Sequence, residues 1–214
     1  MKLLLALALF SCTFAKAPDT ISIKHSTFIT TYDTVKKYPI LVQWWITKSS
    51  LTCNDRQKRA ENFRPDPLLY KVTDLDSSYA GSGYDRGHNM SAYDNGCDPI
   101  GQIECFFYSN MTPQTPSLNR GDWKTLEEYT RKKAMENDSI YVWCGSIGTS
   151  KKIKGLSIPT KCWKILYYRK TRTYEAFLFN NDKSKSDGIT NNRTTCGIIY
   201  KLSGIKIMGR PRRL

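Results

Sequence analysis

The sequence predicts an α+β fold, because strand-like segments follow one another in runs and few helical segments interrupt them. The strand-like segments are rich in β-branched and aromatic residues, and the clearest helical segment has apolar side chains at helical spacing. The chain has 214 residues, of which 40% are hydrophobic and 24% are charged. That size and composition are typical of a globular domain with its own core, and no repeat or linker divides the sequence.

The N-terminal segment has the pattern of a secretory signal peptide. A basic start is followed by the apolar run 3–10, and Ala15 ends a small-residue cleavage motif. Lipidation of Cys12 is the alternative, which the bulky residue two positions before it disfavours. We therefore expect residues 1–15 to be removed and residues 16–214 to form the domain. The protein is then secreted or periplasmic, with no stable membrane insertion.

Cysteines are the second guide to the compartment. Removing the signal peptide leaves six cysteines, an even number that favours disulfides in an exported chain. Zinc is the alternative, but there is no Cys-x-x-Cys pair and neither histidine lies near a cysteine at ligand spacing. The sequence does not determine the pairing, although a bridge from Cys97 to Cys105 closes a short loop at little entropic cost. The six are Cys53, Cys97, Cys105, Cys144, Cys162 and Cys196.

The predicted elements follow from side-chain periodicity. Residues 122–137 predict the helix, which carries Trp123, Leu126, Tyr129 and Thr130 at helical spacing. The strands are predicted at 39–47, 139–147, 162–169 and 173–179.

The net charge of +14 indicates a surface that attracts polyanions. Nucleic acid is the commonest large polyanion, anionic membrane is its competitor, and a merely solvated basic face is the plain alternative. The basic residues that would supply this field are Lys124, Lys132, Lys133, Lys151, Lys152, Lys154, Arg210, Arg212 and Arg213.

Two groups of polar residues could form a reactive site. Asp85-Arg86-Gly87-His88 places a base beside a cation after a glycine-rich turn, so that a neutral His88 could take a proton from water while Arg86 offsets phosphate charge. Glu127 and Arg131 share one face of the predicted helix, and Asn119 lies at its start. An ordinary surface pair and helix cap are the alternative for this second group. One amide oxygen and a carboxylate that holds metal-bound waters would nevertheless suit Mg²⁺.

Together these residues resemble a known family. Four motifs occur in register, and their order and spacing are similar to those of the DNA/RNA non-specific endonucleases of the ββα-metal, or His-Me finger, class that includes mitochondrial endonuclease G. The resemblance implies a ββα-metal nuclease fold with a central, mostly antiparallel sheet flanked by helices. The motifs are Asp85-Arg86-Gly87-His88, Ser109-Asn110-Met111-Thr112-Pro113-Gln114, Leu118-Asn119, and Trp123 with Leu126-Glu127 and Arg131, with weaker similarity over Asn62-Phe63-Arg64-Pro65-Asp66.

The resemblance also implies a role for each matching residue. His88 matches the general base that activates the attacking water, and Asn119 matches the only direct protein ligand of Mg²⁺, for which Mn²⁺ is a substitute. Glu127 matches the residue that orients the metal-bound waters, and Asn110 one that fixes the geometry of the site. The residues that match the phosphate-binding arginines are Arg86 and Arg131, and a further upstream arginine is either Arg59 or Arg64.

The implied activity is that of a secreted, Mg²⁺-dependent, sugar-non-specific endonuclease. It would hydrolyse DNA and RNA to 5′-phosphate and 3′-hydroxyl ends, with a homodimer as a further expectation. A nucleotide phosphodiesterase or pyrophosphatase of the same fold, or a basic nucleic-acid-binding protein without turnover, is the alternative. The sequence departs from the family pattern at Asn89-Met90-Ser91-Ala92 and over Tyr93–Phe106, which leaves the substrate contacts of that segment open.

Overall fold

The computed structural model describes residues 19–73, 75–182 and 187–205. The predicted signal peptide, Cys12 and the C-terminal arginines Arg210, Arg212 and Arg213 lie outside the described residues. No helix within the described ranges is long and apolar enough to cross a membrane.

The strands come in runs separated by groups of helices, as in an α+β protein. The strands are β1 (Thr20–Lys24), β2 (Phe28–Asp33), β3 (Tyr38–Thr47), β4 (Asp85–His88), β5 (Met111–Gln114), β6 (Ser139–Ile147), β7 (Lys151–Ile153), β8 (Leu156–Ile158), β9 (Lys161–Tyr168), β10 (Thr173–Asn180) and β11 (Arg193–Thr194). The helices are α1 (Lys48–Leu51), α2 (Tyr70–Thr73), α3 (Asp76–Tyr79), α4 (Pro99–Glu104), α5 (Pro116–Arg120), α6 (Asp122–Asn137) and α7 (Cys196–Ser203), and 3₁₀ turns cover Pro67–Leu69 and Tyr108–Asn110.

The predicted elements are confirmed. Strands β3, β6, β9 and β10 match the four predicted segments to within a residue or so at each end, and α6 has the predicted bounds. Seven strands form one sheet in the order β1-β2-β3-β6-β9-β10-β11, and every neighbouring pair is antiparallel. The predicted mostly antiparallel central sheet is therefore present.

Both faces of this sheet are covered, which explains why its central strands are apolar on both sides. Along β6, the side chains of Val142 and Cys144 belong to one core cluster and those of Tyr141 and Trp143 to another. Helix α6 covers the first face, where Trp123, Leu126 and Ala134 pack in the same cluster as Val142. Helix α7 covers the second face through Ile199. The side chains of the sheet therefore alternate between two separate cores, and the apolar face of α6 packs into the first of them.

A small antiparallel hairpin of β4 and β5 lies outside the large sheet, and α5 and α6 follow it in the chain. Helix α5 begins at Pro116 after Thr115, whose hydroxyl accepts a hydrogen bond from the Leu118 backbone N–H. Pro at the first helical position and Thr as the N-cap explain why the chain turns into a helix directly after β5. Two strands followed by a helix give the ββα arrangement that the sequence motifs predict.

The prediction of a Cys97–Cys105 bridge is wrong. Cys97 is bonded to Cys53, 44 residues earlier in the sequence, whereas Cys105 is a buried free thiol that donates to the backbone carbonyl of Gln102 at 3.3 Å. Burial raises the pKa of Cys105 to about 12. Cys144 and Cys162 also remain free, because Cys162 pairs with Ser146 across β6 and β9 and not with Cys144. Of the six cysteines expected to favour disulfides, two therefore form a bridge among the described residues and four are free thiols, Cys196 being the fourth.

Candidate active site

A cavity of about 540 Å³ opens between the β4 hairpin and the beginning of α6. Four of the predicted site residues, which come from three separate sequence motifs, line it: Arg86, His88, Asn119 and Glu127. The other lining residues are Arg59, Phe63, Tyr84, Asp85, Ser91, Ala92, Arg120 and Lys124.

His88 ends strand β4 and is 8% exposed. Its ring centroid lies 4.9 Å from that of Phe106 and 5.5 Å from that of Phe63. Its backbone carbonyl accepts a hydrogen bond of 3.0 Å from the indole nitrogen of Trp123, which ties β4 to α6. Burial, together with the positive charge of Arg59, lowers the pKa of His88 from 6.5 to about 3. The imidazole is therefore neutral near pH 7 and can accept a proton.

Gly87 is needed because the backbone of β4 runs close to a side chain of β5. A Cβ atom at position 87 would overlap the side-chain amide of Gln114, which is buried. The positive φ that the glycine-rich turn predicts occurs earlier, at Gly81 (65°) and Gly83 (79°). These two glycines shape the turn that leads into β4, and Gly87 allows the hairpin to close.

Arg86 is held by an aromatic cage. Its Nε donates to the Tyr108 hydroxyl at 3.1 Å, and that hydroxyl donates in turn to Asp76. The guanidinium carbon lies 5.2 Å from the ring centroid of Tyr79 and 5.4 Å from that of Phe63. A cation held in this way loses little side-chain entropy when it binds an anion.

Asn119, in the last turn of α5, is oriented by Asp85, the first residue of β4. The amide nitrogen of Asn119 donates to Asp85 Oδ2 at 2.9 Å, so the amide oxygen remains as its acceptor atom. Arg120 also binds Asp85, through Nε at 2.8 Å and Nη2 at 2.7 Å. Burial acts to raise the pKa of Asp85, but the hydrogen bonds from Arg120 and Asn119 outweigh it and lower that pKa.

Glu127 lies one turn into α6 and contributes the second acidic group of the cavity. Burial raises its pKa, and the positive charge of Lys164 acts in the opposite direction. Lys164 is itself buried beneath the helix, with its amine 4.6 Å from the ring centroid of Trp123. A carboxylate in this setting gains from a bound cation, because desolvation penalises its charge when it is alone.

The residues described so far suit a hard divalent cation. Among the described residues, no group of three or more His, Cys, Asp or Glu side chains could hold a metal ion. The cavity instead offers the amide oxygen of Asn119 and the carboxylate of Glu127. Mg²⁺ prefers oxygen ligands and keeps several of its waters, so a site with few protein ligands fits it.

Asn110 is fully buried and does not line the cavity. Its side-chain oxygen accepts from the Met90 backbone N–H at 3.0 Å, and its amide nitrogen donates to the carbonyls of Met90 at 2.9 Å and Cys105 at 2.8 Å. It therefore fastens the chain that follows His88 to the chain that precedes β5.

Arg131 is also absent from the cavity wall, although it follows Glu127 by one helical turn. Its Nη1 lies 3.6 Å from Asp94 Oδ1, and its guanidinium carbon is 4.5 Å from the ring centroid of Tyr93. The side chain is 17% exposed. The structure thus places Arg131 behind the loop that follows His88, beside and not within the cavity.

The two candidates for the upstream arginine are placed differently. Arg59 lines the cavity, with its guanidinium carbon 5.1 Å from the ring centroid of Phe106. Arg64 lies over Phe107 at 4.9 Å and does not line the cavity. Arg59 is therefore the one placed to meet a ligand there.

Comparison with known proteins places the chain in a family. The model of the DNA/RNA non-specific endonuclease family matches residues 8–211, and the chain therefore belongs to that family. A nuclease of Nostoc sp. is 34% identical over 155 residues, which are 70% of this chain and 55% of that protein. The mitochondrial nuclease EXOG of Homo sapiens is 28% identical over 155 residues, which are 65% of this chain and 42% of EXOG. The chain thus matches only about half the length of these relatives.

A solved structure supports the fold. A chain in the crystal structure of the EndoG/EndoGI complex superposes with a TM-score of 0.77 and 24% sequence identity. The match covers 86% of this chain and 83% of that one. The ββα-metal nuclease fold predicted from the motifs is therefore confirmed.

Proposed function

We propose that this chain is a Mg²⁺-dependent endonuclease that hydrolyses the phosphodiester bonds of both DNA and RNA, with Mn²⁺ as a substitute metal. The observation that carries the proposal is the convergence of a neutral histidine, a fixed arginine, an oriented amide and a carboxylate on one cavity in a chain of this family. These are His88, Arg86, Asn119 and Glu127.

The proton transfer falls to His88. The ring is neutral near pH 7, and it takes a proton from the attacking water as the new phosphorus–oxygen bond forms, while the negative phosphate beside it stabilises the resulting imidazolium. The bond from phosphorus to the 3′ oxygen breaks and that oxygen takes a proton from water, which leaves a 5′-phosphate and a 3′-hydroxyl, and His88 then releases its proton to solvent. Ring contacts with Phe63 and Phe106 hold the imidazole in place during this step.

Cationic side chains and the metal would neutralise the charge of the phosphate. Arg86 faces the cavity from a fixed position, and Arg59 and Lys124 add positive charge to its wall. Asn119 would hold Mg²⁺ through its amide oxygen, and Glu127 would orient the metal-bound waters. When bound there, Mg²⁺ supplies positive charge that stabilises the leaving 3′ oxygen. Asn110 and Arg131 support the site from behind, through the loop 89–94.

These residues would contact the sugar-phosphate backbone, and none of them has to recognise the edge of a particular base. A net charge of +14 supplies the long-range attraction that such backbone recognition requires. Activity toward DNA and RNA alike is therefore expected, with cleavage falling as salt rises.

A substrate panel tests the proposal. Purified mature protein should degrade plasmid DNA and bulk RNA with Mg²⁺, EDTA should abolish the cleavage, and His88→Ala should remove nearly all of it with unchanged circular dichroism. Equal cleavage by wild type and His88→Ala would refute the mechanism. Hydrolysis of mononucleotide esters alone would replace the nuclease by a phosphodiesterase or pyrophosphatase, and binding without turnover would indicate a non-catalytic binding protein.

Export is part of the same proposal. The N-terminal pattern supports secretion or delivery to a periplasm after cleavage behind Ala15. Mass spectrometry of the exported protein should find Lys16 as its first residue, and a lipid-modified Cys12 would instead indicate a membrane anchor. Homodimerisation is tested on the same material by analytical ultracentrifugation.

A further inference from the structure

A second, smaller cavity of about 170 Å³ adjoins the candidate active site. Arg59 and Ala92 line both cavities, so the two share a wall. The remaining lining residues come from the segments 53–59 and 93–102, the second of which lies within the stretch that departs from the family pattern. These residues are Arg56, Gln57, Tyr93, Gly96 and Gln102.

Tyr93 forms part of a stacked layer of ring and guanidinium groups at this cavity. The residue is 53% exposed, although the residues on either side of it, Ala92 and Asp94, are buried. The guanidinium carbon of Arg56 lies 3.8 Å from its ring centroid, and that of Arg131 lies 4.5 Å away. Nucleic acid bases stack on aromatic rings and on guanidinium planes, and such stacking tolerates any base because every base has a π-face.

The layer of Arg56 on Tyr93 is fixed before any ligand arrives. Arg56 donates through Nη1 to the Leu51 carbonyl at 3.3 Å and through Nη2 to the Tyr93 carbonyl. A Cβ atom at Gly96 would overlap the Arg56 guanidinium, so only glycine allows this close approach. Backbone pairing of Gln57 with Gly96 at 2.7 Å and the Cys53–Cys97 disulfide hold the two segments together. A surface ordered in advance loses less entropy on binding.

The charge at this cavity is positive and not internally neutralised. The ion pairs found within the described ranges do not include Arg56, and Arg59 pairs only with the exposed Glu61 at 3.4 Å. Two backbone carbonyls use two of the five guanidinium N–H groups of Arg56, which leaves donors for a phosphate. The cavity thus combines a stacked ring and guanidinium layer with phosphate-binding donors, which complement the base and the phosphate of a nucleotide.

We propose that this second cavity binds the nucleotide next to the scissile phosphodiester on the cleaved strand, with its base against the Arg56–Tyr93 layer and its phosphate on Arg56. The proposal rests on the nuclease function proposed above. It makes Tyr93 and Arg56 determinants of how well a strand binds, and it assigns them no part in the proton transfer.

The first test compares two substrates in Tyr93→Ala. Bis(p-nitrophenyl) phosphate is a phosphodiester without a neighbouring nucleotide, whereas a short single-stranded oligonucleotide fills both cavities. The ratio of the oligonucleotide KM to the small-diester KM should rise at least about fivefold over wild type, as loss of one stacked base predicts, and Tyr93→Phe should restore it. Tyr70→Ala is the matched control, because Tyr70 is 61% exposed and lines neither cavity. Its ratio should equal that of wild type.

The second test uses salt. Arg56→Gln should lower the slope of log KM against log salt for the oligonucleotide by about one, as loss of one phosphate contact predicts, and Tyr93→Ala should leave the slope as in wild type. An unchanged KM ratio in Tyr93→Ala, with wild type cleaving both substrates, would overturn the subsite and leave the nuclease proposal standing. Failure of wild type to cleave either substrate would instead overturn the nuclease proposal. Arg56 also binds the backbone of its surroundings, so Arg56→Gln could fail to fold. In that case the ratio of the two KM values in Tyr93→Ala alone decides whether the second cavity binds a nucleotide.

Discussion

Asp85→Ala should weaken metal binding without touching any group that would contact the metal. Asp85 orients Asn119 through the 2.9 Å bond from its amide nitrogen. Removing the carboxylate leaves the amide free to rotate or to present its nitrogen to the cavity. Partners that orient a metal ligand typically contribute about 10- to 100-fold to metal affinity or activity, and we expect the half-saturating Mg²⁺ concentration to rise by about that factor.

The same substitution also breaks the ion pair with Arg120, and a second variant separates the two effects. The Arg120 side chain is 72% exposed, so solvent screens this pair and its loss matters little for stability. Arg120→Gln removes the pair but leaves the bond from Asn119 to Asp85. Its half-saturating Mg²⁺ concentration should therefore shift much less than that of Asp85→Ala.

Two measurements check this prediction. The first is cleavage rate as a function of Mg²⁺ concentration in wild type, Asp85→Ala and Arg120→Gln. The second is the Mg²⁺-induced rise of the thermal midpoint in a His88→Ala background, which reports metal binding without turnover. If Asp85→Ala saturated with Mg²⁺ at the wild-type concentration in both assays, the orienting role of Asp85 would be refuted.

Three further predictions concern stability and are measured by urea unfolding. Between pH 6.5 and about 3, the unfolded chain binds a proton at His88 that the folded chain does not bind. The free energy of unfolding should therefore fall below pH 6.5, by up to about 1.4 kcal/mol per pH unit from this residue, and His88 should cost no stability above that pH. An identical pH dependence in His88→Ala would contradict this. Replacing Cys53 and Cys97 together by serine should lower the free energy of unfolding by about 2–4 kcal/mol, because the bridge closes a long loop; unchanged stability would show that the bridge does not form. Gly87→Ala should cost about 1–3 kcal/mol through overlap with Gln114, whereas Gly197→Ala, with no atom closer than 3.8 Å, should not.

Much of the fold could be predicted from the sequence because its main elements are long and periodic. Helix α6 has 16 residues with apolar side chains on one face, and β3, β6, β9 and β10 have 8 to 10 residues each. The short elements lie outside the predicted segments. Strand β11 has two residues and exists through its pairing with β10, and such pairing is a tertiary contact that no local pattern determines.

The candidate site was predictable to the extent that its residues lie in motifs that follow one another between positions 86 and 127. His88, Asn119 and Glu127 meet because the β4 hairpin leads directly into α5 and α6. Helical spacing placed Arg131 on the same face as Glu127, but its partner Asp94 is 37 positions earlier in the sequence and draws it away from the cavity. Cys97 likewise bonds a distant residue. Contacts of this kind depend on packing and not on spacing.

Asp85 and His88 are the first and last residues of β4, which is paired with β5 along its whole length. A strand rises by about 3.3 Å per residue, so this segment sets a fixed separation of about 10 Å between the backbone positions of the residue that orients Asn119 and of the proton acceptor. Changing that separation would require breaking the ladder with β5. On the proposed function, the hairpin thus holds the residue that orients the metal ligand and the proton acceptor at a separation that stays the same whether the substrate is DNA or RNA.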